Sequence, residues 1–220
     1  MTDYTTLRKT MVESQVRTND VTDRRVLRAM LELPREAFVP EAMQALAYSG
    51  EGVSLGNWAP GRSLPAAVVT ARLVQLASLD FEERVLEIGC ASGYGTAVIS
   101  QVAKSVTGIE SDPALAAKAQ AALAEHGRGN VTIKSGELAV GDASGAPYDV
   151  IIVSGKLPDV PAALREQLRE GGRLIAIIAE GPIGRATVFE RIGDGFSSRY
   201  AFDAEAPALP GFDRKPVFSL

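Results

Sequence analysis

From Arg84 onward, short apolar runs alternate with stretches of helical spacing. Val85–Ile88, Val106–Ile109, Val131–Lys134, Val150–Ser154 and Arg173–Ala179 read as strands, and the segments near 94–103, 113–125 and 160–169 as helices. That alternation predicts βαβ units and a parallel sheet. Val150-Ile151-Ile152-Val153 and Leu174-Ile175-Ala176-Ile177-Ile178 are apolar throughout, as strands covered on both faces must be. Beyond Ala179 the helical period disappears. Ala186–Ile192, Ser198–Phe202 and Val217–Leu220 predict short antiparallel strands finishing the sheet edge.

The first 80 or so residues follow another pattern. Thr5 to Arg17 is modestly amphipathic. Asn19–Asp23 supplies capping side chains for a second helix with Val26, Leu27, Met30 and Leu31 on one face, and Pro34 stops it. Tyr48–Leu64 carries Gly50, Gly52, Gly56, Pro60 and Gly61 and reads as a long irregular loop, before a helix from Pro65 to Ser78. Loops of that length in compact domains are usually functional or mobile. The expected architecture is α/β. A Rossmann-like, mostly parallel sheet has helices on both faces, an N-terminal helical extension and antiparallel C-terminal edge strands. Residues 1–80 form the extension and 81–220 the core, together one compact domain.

The candidate chemistry lies where the first strand ends. Glu87-Ile88-Gly89-Cys90-Ala91-Ser92-Gly93 is an acid followed by small residues, opening into a helix at Thr96. Small residues let a backbone turn sharply and lie against a ligand, and a helix start offers free N–H groups. A dinucleotide fingerprint needs glycine at 89, 91 and 94, and the chain has Ala91 and Tyr94. The acid two residues before the first small position, with 89, 91 and 93 small, resembles instead the turn of S-adenosylmethionine (SAM) methyltransferases. Ligands of open α/β sheets sit at the carboxyl ends of the strands, so the other strand ends should contribute. The second ends at Glu110-Ser111, whose carboxylate suits the two ribose hydroxyls at roughly 1.5–3 kcal/mol per charge-assisted bond. The third ends at Gly136-Glu137, where Glu137 suits an adenine amino group but equally a solvated surface. The fourth ends at Ser154, small enough to admit a substrate.

A formal charge of −4 gives no basic footprint for nucleic acid. The polar N-terminus and the absence of long apolar runs predict neither a signal peptide nor a membrane span. One cysteine, Cys90, and one histidine, His126, cannot supply a zinc site, and His126 reads as a helix-end cation. A lone cysteine fits a cytoplasmic setting. Nothing in the chain bears on oligomeric state.

Longer strings resemble the protein-L-isoaspartate O-methyltransferase family. They are Arg17-Thr18-Asn19-Asp20-Val21-Thr22-Asp23, Pro34-Arg35-Glu36-Ala37-Phe38-Val39-Pro40, Leu46-Ala47-Tyr48, the turn from Val85 to Tyr94, Asn130-Val131, Ala146–Val153 and Gln167–Leu174. The resemblance implies SAM-dependent methyl esterification of a carboxylate, in that family one on a damaged aspartyl residue of a protein. The family carries a Ser-x-Pro turn at its substrate site. An ungapped alignment puts that serine at Pro65 and the proline at Ala67; a two-residue shift would match Ser63-Leu64-Pro65. Ser63 is then the candidate donor to the carboxylate, with Lys156 as a nearby charge and Trp58 as a shield or an anchor. Such chemistry needs no general base, since a carboxylate is already ionised at pH 7. Two other readings stand beside it: a SAM-binding protein without turnover, and a dinucleotide oxidoreductase.

Overall fold

The computed structural model describes residues 2–127, 129–181 and 183–212. Among the described residues six α-helices run in chain order: α1 (Tyr4–Met11), α2 (Arg24–Glu32), α3 (Ala67–Ala77), α4 (Tyr94–Ser100), α5 (Pro113–His126) and α6 (Ala162–Glu166). The strands are β1 (Val53–Ser54), β2 (Ser63–Leu64), β3 (Arg84–Ile88), β4 (Ser105–Glu110), β5 (Val131–Ser135), β6 (Tyr148–Leu157), β7 (Leu168–Glu180), β8 (Ile183–Ile192) and β9 (Gly195–Asp203). Seven of them form one sheet in the order β5-β4-β3-β6-β7-β8-β9. Pairings from β5 to β7 are parallel, and β8 and β9 add antiparallel. The strand order reverses direction beside β3, which lies between β4 and β6. That reversal is where open α/β sheets leave a crevice.

Successive side chains of the central strands enter opposite cores, as the two-residue period demands. Val85, Val150, Ile152, Ile175 and Ile177 join the side that carries α1 to α5. Leu86, Ile88, Ile151, Val153, Leu174 and Ala176 join the side that carries α6. Glu87 therefore falls among apolar neighbours on the face of Val85, fully buried.

Several expectations need adjusting. The first helix is α-helical only to Met11; a π-turn (Val12–Val16) and a 3₁₀ turn (Arg17–Asn19) carry it on. In α2, capped by Asp23, Val26 and Met30 are buried but Leu31 is 40% exposed, and Ala29 and Leu33 fill the inner face instead. The helix expected over 160–169 is the short α6, because Leu168 already pairs with Tyr148 as the start of β7. Tyr48–Leu64 is not irregular. It holds the antiparallel β1–β2 ribbon, with Val53, Leu55, Ala59 and Leu64 buried in the core. The strand expected over Val217–Leu220 lies outside the described residues.

Candidate active site at the carboxyl ends of β3, β4 and β6

The turn after β3 is shaped by three left-handed residues. Gly89 (φ 76°) and Gly93 (φ 94°) tolerate this, whereas Ala91 (φ 51°) is strained by its Cβ. Strain of that kind persists only where surrounding bonds fix it. Here the Ala91 N–H donates to Glu110 Oε2 at 2.9 Å, while Gly89 and Cys90 N–H both donate to the Ile109 carbonyl. The turn is thus tied to the end of β4.

Glu110 is wholly buried and accepts five hydrogen bonds. Ser111 N–H, the Ser111 hydroxyl and Asp112 N–H reach Oε1, and Ala91 N–H and Arg62 Nη2 reach Oε2. Arg62, at 2.6 Å, is the charged one of these donors, and it directly precedes β2. Glu87 accepts from the Thr96 and Ser154 hydroxyls. Burial raises its pKa; those two bonds oppose the rise, and the charge of Glu110 adds to it. A side chain at Gly95 would collide with Glu87 Oε1, so α4 packs against that carboxylate only because position 95 is glycine.

The crevice is walled by Arg35, Leu64, Pro65, Thr70, Glu87, Gly89, Cys90, Ala91, Tyr94, Gly95 and Ser154, and is narrow, with a cavity volume of about 10 Å³. Arg35 comes from the Pro-Arg-Glu string. Its Nε donates to the Ala47 carbonyl and its Nη2 to that of Pro65. Burial lowers its pKa, against the opposing influence of Tyr94 and Tyr48. Phe38 of the same string stacks edge-on against Tyr94 at 5.6 Å, and its carbonyl takes the Ser92 hydroxyl. The N-terminal segment is in this way part of the site. A wider surface groove along Arg17, Val21, Leu27, Arg28 and Leu31 shares no residue with the crevice.

Of the residues singled out from sequence, Glu87, Gly89, Ala91 and Ser154 meet in this wall, and Gly93, Glu110 and Ser111 adjoin it. Gly136 N–H bonds the Glu110 carbonyl, which puts Gly136 and the exposed Glu137 just beyond Glu110 at the end of β5. Ser63 is not in the wall. It pairs with Ser54 on the ribbon while Leu64 and Pro65 face the crevice, since neighbouring strand residues point to opposite faces. Helix α3 starts at Ala67, two residues after Pro65. Lys156 is held by Glu205 at 2.5 Å, so its charge is already matched. Trp58 packs against the core beneath Lys118 and not in the crevice wall.

The buried Cys90 has its thiol pKa pushed well up by burial, and its sulfur faces Gly108. His126 ends α5 against the Phe38 ring. Sequence reasoning missed Arg35, Arg62, Thr70, Tyr94 and Leu209 as site residues. Leu209 belongs to a segment that joins the end of β6 through Lys156, and its side chain lies against Gly89 and Gly155. Only Arg35 and Tyr94 stood in recognisable strings.

Comparisons with known proteins bear on the family and the fold. Residues 6–202 match the family model described as protein-L-isoaspartate(D-aspartate) O-methyltransferase. A protein-L-isoaspartate O-methyltransferase 1 of Rhodopseudomonas palustris (strain HaA2) is 43% identical over 174 residues, covering 79% of this chain and 70% of that protein. One from Roseiflexus castenholzii is 40% identical over 209 residues, covering 95% and 94%. Among solved structures, a protein-L-isoaspartate O-methyltransferase superposes with a TM-score of 0.79 at 24% identity, over 93% of this chain and 67% of that one. A Plasmodium falciparum protein described as such an enzyme, in complex with S-adenosyl-L-homocysteine, gives 0.75 at 18% identity, over 96% and 100%. At those identities the two structures speak for the fold. The family match and the sequence relatives go further: this chain belongs to the protein-L-isoaspartate O-methyltransferase family.

Proposed function

We propose that the protein transfers the methyl group of SAM to a carboxylate of a protein or peptide, of the isoaspartyl type. The observation that carries this reading is the strained turn at Ala91, bonded to the buried Glu110, in a chain whose family match spans that turn. The residues suit the cofactor. Glu110 is an acceptor for its ribose hydroxyls, with Ser111 beside it, and Glu87 is a buried acid for its ammonium, held by Ser154. Gly89, Ala91 and Gly93 let the backbone lie close, and Gly136 and Glu137 flank the place for adenine. When bound, the cofactor supplies an electrophilic methyl on a sulfonium.

The chain's own contribution is orientation and exclusion of water. The carboxylate nucleophile is ionised at neutral pH, so no residue has to remove a proton. This suits a site whose cysteine is buried and whose histidine packs elsewhere. Ser63 is the proposed donor to the substrate carboxylate, and it would come to the crevice with the ribbon it shares with Arg62. The proposed setting is the cytoplasm; no helix among the described residues is long and apolar enough to cross a membrane.

The test is incubation with methyl-labelled SAM and an isoaspartyl peptide, followed by base-labile release of labelled methanol. Release from the isoaspartyl peptide, and not from its aspartyl counterpart, is expected. Ser63→Ala should lower kcat by about tenfold, the worth of one hydrogen bond to a charged group; unchanged turnover removes that side chain from the mechanism. A second reading is favoured by Pro65 in the crevice wall and by the Lys156–Glu205 pair. Both leave the substrate side short of polar groups. In that reading the chain binds SAM without turnover, and calorimetry would show binding where the peptide assay shows no release.

A further inference from the structure

Helix α2 carries two stripes of side chains. Val26, Ala29 and Met30 face the core. Arg24, Leu27, Arg28 and Leu31, at the i, i+3, i+4 and i+7 spacing of a single helix face, run instead along a surface groove of about 440 Å³. Arg17 and Val21, from the turns before α2, line the same groove. Its shape is set from outside: Gln75 of α3 accepts from the Thr22 and Asp23 N–H groups at 2.7 and 2.8 Å and donates to the Asp20 carbonyl at 2.8 Å. A groove fixed in this way asks little ordering of itself when a partner arrives. Three arginines flank an apolar strip, and no acid is among the described lining residues, in a chain whose formal charge is −4. Arg17 and Arg28 pair with Glu13 and Glu32, but these are exposed ion pairs, worth little and readily exchanged. Arg24 is exposed and has no ion pair among the described residues.

We propose that this groove docks an acidic amphipathic helix of another protein. The apolar side of such a helix covers Val21, Leu27 and Leu31. Its carboxylates take Arg24 and replace Glu13 and Glu32 as the partners of Arg17 and Arg28. The arginines select the sign of the partner's charge, and the apolar floor selects a protein. A nucleic-acid strand is held by aromatic platforms as well as by cations, and no aromatic side chain is among the described lining residues. The Arg17–Asp23 string contributes nothing to the crevice wall, whereas it supplies Arg17 and Val21 here. Because groove and crevice share no residue, this inference goes beyond methyl transfer and stands independently of it.

The experiment is fluorescence anisotropy on the full chain with two labelled synthetic peptides of about 16 residues, long enough to form a helix. Both carry leucine at every third or fourth position; one has glutamate at the remaining polar positions and the other lysine. The glutamate peptide should bind about tenfold more tightly than the lysine peptide, by a margin that shrinks as added salt screens the charges. Arg24→Glu should weaken the glutamate peptide about tenfold and strengthen the lysine peptide. Leu31→Ser should weaken both about threefold, through lost apolar contact. Both positions are exposed, so an unchanged melting temperature is expected of either variant. No saturable binding of the glutamate peptide overturns the proposal, as does equal affinity for the two peptides or binding that Arg24→Glu leaves unaltered. A single-stranded oligonucleotide that displaces the glutamate peptide would assign the groove to nucleic acid. Sedimentation that shows a dimer lost in Arg24→Glu would assign it to a second copy of this chain. Either result overturns the proposal.

Discussion

Two carboxylates illustrate how single residues are set by their surroundings. Glu110 has its acceptor positions filled, so a ribose bound there as proposed would have to replace one of its donors. The backbone donors are fixed by the turn and by the start of α5, which leaves the Arg62 guanidinium and the Ser111 hydroxyl as the groups that can move. Asp142 is a structural counterpart. Burial alone would raise its pKa, but bonds from Lys134, Ser144 and Tyr148 outweigh that and bring it to about 2, below the ordinary 3.8. Tyr148 moves the other way, up to about 12, through burial and its bond to Asp142. Because the folded state holds the Asp142 proton more weakly than the unfolded chain, this network's stabilisation is complete above pH 4. It is lost as pH falls from about 4 towards 2. The gain at neutral pH is roughly 2 kcal/mol. Urea unfolding of Asp142→Asn should therefore show a deficit against wild type at pH 6 that narrows at pH 3; a constant deficit would contradict the linkage.

At the scale of elements, the β1–β2 ribbon reaches the proposed cofactor site through Arg62. Val53, Leu55 and Leu64 dock it at about 1.5–3 kcal/mol each, with Ala59 adding less. Its polar tie to the site is the single Arg62–Glu110 ion pair, whose net worth is small once desolvation is counted. The guanidinium should thus give way before the ribbon does. If Glu110 holds the ribose, Arg62→Ala should tighten S-adenosylhomocysteine binding about three- to tenfold in calorimetry, since a competing donor is gone. Weaker binding would mean that Arg62 itself contacts the cofactor. A second tie works from the opposite end of the sheet, where Arg173 on β7 donates to the Ala77 and Ser78 carbonyls and pairs with Glu83. It fixes the end of α3 against the entry to β3. Arg173→Ala should cost about 1–2 kcal/mol in urea unfolding without changing cofactor affinity, because the half-buried Glu83 loses its counter-ion and the part-buried Ala77 carbonyl loses a donor.

Across the whole molecule, the N-terminal segment and the sheet share one core: Met11, Val16, Met30 and Phe38 cluster with Leu73, Tyr94 and Ile99. Deleting residues 1–40 strips at least four large side chains from it, about 6–12 kcal/mol of apolar burial, against a typical total stability of about 5–15 kcal/mol. The truncated chain should lack a cooperative unfolding transition; a sharp one would show the core to be self-sufficient. The sequence by itself determined the order of strands and helices from β3 onward. Those segments repeat a local period that burial on both faces imposes. It also determined the turn from Glu87 to Gly93, because few residue types tolerate such a bend. Tertiary structure decided the rest. Two-residue strands in a glycine-rich loop carry no periodic signal, so the ribbon was invisible, and with it the fact that Pro65 and not Ser63 meets the crevice. Contacts between residues far apart in the chain, such as Arg62 with Glu110, Lys156 with Glu205 and Leu209 with Gly89, follow from how packed layers meet, and no local pattern encodes them.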